Sequence, residues 1–398
     1  MNTFDLPIII EKDNEYVLAV REKTKEYLKK IEDLKTKPHL QSFIQNINTT
    51  INETKKIQTN IIKIFNFLFN GKMQTAINTL KNLVDRYSSK LITPILDSYA
   101  FRGDDYYYNP DDELKELYLY KGRIGEAYQS YKREDMFHIP LDKRCITRTE
   151  RYSMPGVPCI YLAQNSYVVW KEMQMPSFDK LSISAYKITN PHLKIIDLTY
   201  SFQTVYDIFE DQQLFLQHYD RRAAKKVLEA MSIFPLIVAV SVKCREKNRH
   251  FKSEYAIPQL LMCCLKGNLI GIAYHSNEIP TDNNMFATNI AIPIINYKRN
   301  QKYGEIKNDI ELTDPMNFDY FIKTIFSNRA VLGDQNSFAR GIGAGHVFSG
   351  LSPILSFNRL INGMKKTPSY DKDMLYVDTP FYSFDDYILY MKAFQLVR

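Results

Sequence analysis

RYSMPGVPCIYLAQNSYVVWKEM, residues 151–173, reads as a turn, a strand and the start of a helix. SMPGVP at 153–158 has the Pro and Gly of a tight turn. CIYLA at 159–163 is a strand on which Tyr161 shares its facing with Cys159 and Ala163. SYVVWKEM then begins a helix, with Ser166 as the expected N-cap and Glu172 inside the first two turns. Arg151 therefore precedes the turn, Tyr161 sits on the strand and Glu172 on the helix. An arginine and a glutamate are rarely buried without partners, so a plain core strand explains neither. The layout can bring a cation, an aromatic face and a carboxylate to one cleft edge.

On either side of this stretch the texture of the chain differs. Residues 11–95 are rich in Lys, Glu, Leu and Ile and read as helices. Met73, Ala76, Leu80, Leu83 and Tyr87 recur at three- and four-residue steps, the spacing of one helical face. The excess of Lys and Arg over 51–100 reads as a solvated face, with a docking surface as the alternative. FRGDDYYYNPDDE at 101–113 breaks the pattern. Beyond it come short β-like runs: CIYLA, KLSISAYKI at 180–188, LKIIDL at 193–198, PLIVAVSV at 235–242 and NIAIPI at 289–294. Helical patterns at 165–174 and 219–231 lie between them. The expected class is α+β, with a helical region at 1–116, a mixed domain at 117–297 and a C-terminal extension at 298–398 packing on it.

Composition narrows the function classes. The chain has 398 residues, 45% hydrophobic and 24% charged, the proportions of a folded soluble protein. Its net charge of +7 permits contact with phosphates but falls short of a nucleic-acid binder's concentrated basic footprint. The five cysteines show no metal-ligand spacing and no disulfide framework, which fits a reduced cytoplasmic setting and leads us to expect no metal. MNTFDLPIIIEKDNEY lacks the basic start of a signal peptide, and IIKIFNFLF at 61–69 is too short to span a bilayer.

Several segments, in order, resemble the RES domain family, named for its Arg, Glu and Ser. They are YKGR at 120–123, FHIP at 137–140, RYSMPG at 151–156, IYLA at 160–163 and VVWKE at 168–172. EYAIPQLL at 254–261 and GIAYHS at 271–276 resemble the family's later segment, which makes Ser276 the matching serine. The resemblance covers roughly 118–297. It implies a fold similar to that of ADP-ribosyltransferases and an NAD-consuming activity, often that of a toxin paired with an antitoxin.

What the resemblance implies has a chemical rationale. Breaking the nicotinamide–ribose bond leaves an oxocarbenium-like sugar, which a carboxylate stabilises; Glu172 is the candidate. Arginine forks suit a pyrophosphate, a role for Arg123 and Arg151. Tyr161 can stack on the departing nicotinamide and Ser276 can hydrogen-bond near its ribose. NAD is then a consumed substrate, so GxGxxG is not needed. GIGAGHVFSG at 341–350 lacks the lysine and spacing of a phosphate loop.

Each residue also has a plainer explanation. Arg151 and Glu172 suit a structural salt bridge, Tyr161 a core aromatic, Arg123 a surface charge and Ser276 an ordinary turn. His138 and His275 flank matched segments, where a lone histidine is more often structural. Water, phosphate or a macromolecule as acceptor distinguishes a glycohydrolase, a phosphorylase and an ADP-ribosyltransferase. The rival from another class is a non-enzymatic module that binds nucleic acid or a protein.

Overall fold

Hydrophobic periodicity becomes helix along most of the first ninety residues, as the computed structural model of the protein shows. The structure describes residues 3–98, 115–246, 249–279, 287–295, 297–298, 301–326, 354–355, 374–376, 379–391 and 393–397. The polar break at 101–113 and the glycine-rich run at 341–350 lie outside the described residues.

In chain order, strand β1 (Ile8–Ile10) precedes helices α1 (Tyr16–Asp33), α2 (Ile44–Phe69) and α3 (Met73–Arg86), then strand β2 (Ile92–Pro94). Strands β3 (Leu117–Ile124) and β4 (Cys159–Ala163) lead to helix α4 (Ser166–Glu172) and strands β5 (Leu181–Ile188) and β6 (Lys194–Leu198). Helices α5 (Phe202–Glu210), α6 (Gln212–His218), α7 (Arg221–Ala230) and α8 (Phe234–Val240) follow. Next come β7 (Val242–Cys244), α9 (Ala256–Met262), β8 (Leu269–His275) and β9 (Thr288–Pro293). Strands β10 (Ile310–Leu312) and β11 (Met316–Asn317), helix α10 (Pro380–Met391) and strand β12 (Gln395–Leu396) complete the elements used below. The fold is mixed, with helices first and strands of a multi-stranded sheet after them.

One expected strand is a helix. PLIVAVSV at 235–242 forms α8, with Pro235 in its first turn, and only Val242 and the two residues after it are extended. Every residue of α8 is buried, so its polarity has no period to read, and a short apolar run of that kind suits helix and strand alike. Pro235 fits the first helical turn because it has no N–H to satisfy there.

The chain forms two compact units from interleaved segments. The first is Met1–Pro94, Arg148–Val157 and Leu193–Asn284; the second is Ile95–Thr147, Pro158–His192 and Met285–Arg398. The division expected at 116 and 297 follows changes of texture along the chain, whereas these units join segments distant in sequence.

In the first unit, β2 runs antiparallel to β6, and β6 parallel to β8 with Ile196 opposite Ile272. Helices α5 to α9 supply the long crossover that a parallel pair requires. Helix α2 packs against α1, α3, α7 and α8, burying Ile47, Ile57, Ile61 and Ile64. Tyr27 of α1 stacks on Phe234 at 3.9 Å and donates its hydroxyl to the Met231 carbonyl at 2.7 Å. On the face expected for α3, Ala76, Leu80, Leu83 and Tyr87 are buried, whereas Met73, at the helix start, is exposed.

In the second unit the strand order is β12-β10-β5-β3-β4-β9, with β11 also paired to β5. β3 and β5 are antiparallel along eight residues, from Leu117 opposite Ile188 to Ile124 opposite Leu181. α4 lies against β3 at Gly122, where a Cβ would come within 2.5 Å of Val169 Cγ1 and Met173 Sδ. Glycine is therefore needed at 122 for a close approach of helix to strand. Among the described residues, no helix is long and apolar enough to cross a membrane.

Candidate active-site residues

Strand pairing decides which side chains share a face. Ala163 lies opposite Asn289, and Tyr161 opposite Ala291, across the antiparallel β4–β9 pair. Directly opposed residues project to the same side, as do residues two apart on a strand. Tyr161, Ala163, Asn289 and Ala291 therefore share one face. Glu172, the last residue of α4, reaches that face, and its Oε1 accepts a hydrogen bond from Asn289 Nδ2 at 2.7 Å. The second unit thus brings Tyr161 and Glu172 to the same side of its sheet. An amide donor orients a carboxylate without neutralising it. Asn289 is a residue that sequence reasoning missed. Its only signal was a polar side chain opening the apolar run NIAIPI.

Helix α4 is capped by Asn165, not by Ser166 as expected. Asn165 is extended (φ −156°, ψ 168°), and its side chain accepts from the Val168 N–H at 2.9 Å. Ser166 is instead the first helical residue. Asparagine and serine cap equally well, so composition does not distinguish them; the backbone angles do.

Arg123 belongs to the opposite face of β3, since Gly122 beside it faces α4. Its guanidinium donates to the Asp135 carbonyl and lies 4.8 Å from the Tyr131 ring centre. Lys121, two residues before it, donates to the Phe137 carbonyl, and Tyr186 to the Met136 carbonyl. Three successive carbonyls of one turn are thus held by side chains from β3 and β5. Burial, reinforced by the Arg123 charge, pushes the Lys121 amine down to about 7. Arg123 and the Tyr161–Glu172 pair are not brought to one face.

His138 follows that turn and is almost fully buried. Its Nδ1 bonds to the Ile139 carbonyl at 2.7 Å, and its Nε2 accepts from the Gly304 N–H at 3.0 Å. These partners define a neutral tautomer protonated on Nδ1, and burial lowers the imidazole to about 4. Both ring nitrogens serve the backbone. Cys159, on the Tyr161 face, is pushed up to about 12 by burial, with a Tyr161 hydrogen bond opposing, so it stays a thiol.

The first unit brings together Arg151 and the segment of Ser276. Arg151 Nη1 donates to the Val240 carbonyl at 3.2 Å and the Glu254 carbonyl at 3.1 Å. With the Asn277 amide oxygen turned toward it, Arg151 also donates from Nε at 3.1 Å and Nη2 at 3.3 Å. The guanidinium lies 5.2 Å from the Tyr255 ring centre. Ser276, buried, accepts from the Glu278 N–H at 3.1 Å, the turn geometry that its sequence context suggests. Its own O–H is a donor beyond that bond. The Glu254 carboxylate grips Arg249 at 2.6 and 3.0 Å, and Arg249 also pairs with Asp13. That network holds the backbone on which Arg151 rests, and nothing in EYAIPQLL alone signals it. Among the described residues, no group of three or more His, Cys, Asp or Glu side chains is placed to hold a metal ion.

Against this geometry stand the comparisons with known proteins. A Bacillus subtilis (strain 168) protein named "Putative toxin YopC" is 30% identical over 198 residues. The similarity spans 48% of this chain and 44% of that relative, less than half its length. No family model matches the chain. No solved structure matches it.

Proposed function

We propose that this chain is an NAD-degrading enzyme of the RES type, with an ADP-ribosyltransferase-like fold, that cleaves the nicotinamide–ribose bond and acts as an intracellular toxin or defence effector. The observation that carries the reading is the Glu172 carboxylate, held by Asn289 at 2.7 Å on the face that Tyr161 shares. The ordered resemblance over 118–297 and the similarity to a protein named as a toxin support it.

In this reading the glycosidic C–N bond of NAD breaks with its electron pair leaving on nicotinamide. Positive charge develops on the ribose, and Glu172, oriented by Asn289, stabilises it. Tyr161 supplies an aromatic face for the leaving nicotinamide. Ser276 is assigned a hydroxyl contact near the ribose. Arg123 is left out of this step because it projects from the other face of β3 and donates to the Asp135 carbonyl, and Arg151 because its guanidinium is committed to the Val240 and Glu254 carbonyls and Asn277. Water as acceptor yields ADP-ribose, nicotinamide and a proton. Phosphate yields the phosphorylated ADP-ribose, and a macromolecule yields the ADP-ribosylated adduct. The family resemblance and the relative named as a toxin add an antitoxin or regulatory protein to the proposal as the partner.

The test is to incubate the purified protein with NAD, with and without inorganic phosphate, and to identify the products by mass. Release of nicotinamide by wild type and its loss in Glu172→Gln support the reading. Intact NAD after prolonged incubation with folded wild-type protein overturns it.

A further inference from the structure

Helix α4 ends in Glu172, yet its beginning is held by a segment more than two hundred residues further along the chain. The Ser166 N–H, at the first position of α4, is shared between Asp385 Oδ1 at 3.2 Å and Oδ2 at 3.1 Å. The Ser166 hydroxyl donates to the Phe381 carbonyl at 3.3 Å. Tyr376 donates its hydroxyl to Asp385 Oδ2. Phe381 then packs against Tyr167 at 5.4 Å and Trp170 at 5.5 Å, so three residues of α4 are gripped by α10. Ser166, Tyr376, Phe381 and Asp385 are all buried.

We propose that Asp385 is a positioning residue, which, with α10, holds α4 in the orientation that Glu172 needs. α4 is two turns long, so a shift at Ser166 is carried through the helix to Glu172 with little to absorb it. The carboxylate also complements the partial positive charge of the first turn, alongside the Asn165 cap on Val168. No part of the resemblance at 118–297 includes Asp385. The inference rests on the NAD-cleaving reading only for what Glu172 does; the grip on α4 stands on the contacts alone.

The grip is sensitive to protonation. Burial raises the Asp385 carboxyl to about 7; the hydrogen bonds from Tyr376 and Ser166 oppose the rise, and the Asp386 charge adds to it. The titratable groups acting with it are Tyr376 before α10, Asp386 and Tyr382 on α10, and Tyr120 on β3. The anionic form accepts from both donors, whereas protonation puts a hydrogen against one of them. NAD turnover is therefore higher above pH 7 and falls to a lower plateau beneath it. Tyr376→Phe removes a donor to the anion, raises the Asp385 pKa and moves the fall to higher pH.

The full chain and its variants decide the matter through the pH profile of kcat, the KM for NAD and amide hydrogen exchange over residues 166–172. Asp385→Asn mimics the protonated acid and is expected to stay on the low plateau at every pH. Asp385→Ala is expected to lose at least about tenfold in kcat, the scale of a small misplacement of a reacting group, with KM changed less than about twofold. In both variants α4 amides exchange faster. A kcat profile in Asp385→Asn that matches wild type overturns the proposal, as does unchanged exchange in α4. Should Asp385→Ala fail to fold, the Asn and Tyr376→Phe variants, which keep side-chain volume, decide alone. Folded wild type that leaves NAD intact ends the NAD reading and the positioning role with it, while exchange still reports whether Asp385 grips α4.

Discussion

Asn289 and Glu172 lie 117 residues apart in sequence and 2.7 Å apart in space, the amide Nδ2 of one donating to Oε1 of the other. Asn289 is held by strand β9 and Glu172 by helix α4, so the carboxylate is oriented from two independent elements of one unit. A charge-stabilising group works best when its direction is set before the reaction begins.

Glu172→Gln keeps the shape of the side chain and removes its charge. NAD turnover is expected to fall at least about a hundredfold, the order for losing one electrostatic stabiliser. Thermal unfolding should be little changed. Full nicotinamide release by the Gln variant removes Glu172 from the mechanism.

Asn289→Asp tests the orienting bond through charge. Two carboxyls at about the 2.7 Å of that contact titrate as a coupled pair, so one of them keeps its proton to higher pH than a lone carboxylate. The acid side of the turnover profile should move to higher pH. Rate measurements from pH 5 to 9 check this, and an unmoved acid limb disproves the contact.

Arg151→Lys should destabilise the protein nearly as much as Arg151→Ala. The guanidinium reaches the Val240 and Glu254 carbonyls and Asn277 at once, a geometry that an ammonium does not reproduce. Stranding those acceptors costs about 1–3 kcal/mol, read from denaturant unfolding. If lysine restores stability and turnover, charge alone matters at this position.

His138 makes stability depend on pH. Its folded pKa is depressed to about 4, below the ordinary value of 6.5, so between these values the unfolded chain binds more protons. Its contribution is complete above about pH 6.5 and is lost as pH falls toward 4. Unfolding measured from pH 7 to 4 should show that slope, and His138→Gln should flatten it.

The segments around 151–173 were legible because local patterns specify local structure. A turn, an alternating strand and a capped helix each follow from a few adjacent residues, and the structure has β4 and α4 where those patterns lie. The runs at 180–188, 193–198 and 289–294 were legible for the same reason. PLIVAVSV was not, since a run buried on all sides has no polar face to mark its period.

By itself, then, the sequence determined the element types, the spacing of Arg151, Tyr161 and Glu172, and a chain without metal-ligand cysteine spacing. Only the tertiary structure decided that Glu172 meets Asn289, that Arg123 projects from the other face than Tyr161, and that Asp385 holds Ser166. Hydrogen bonds across 117 and 219 residues leave no trace in local periodicity. They arise from strand register and helix packing, where a shift of one residue sends every side chain to the opposite face.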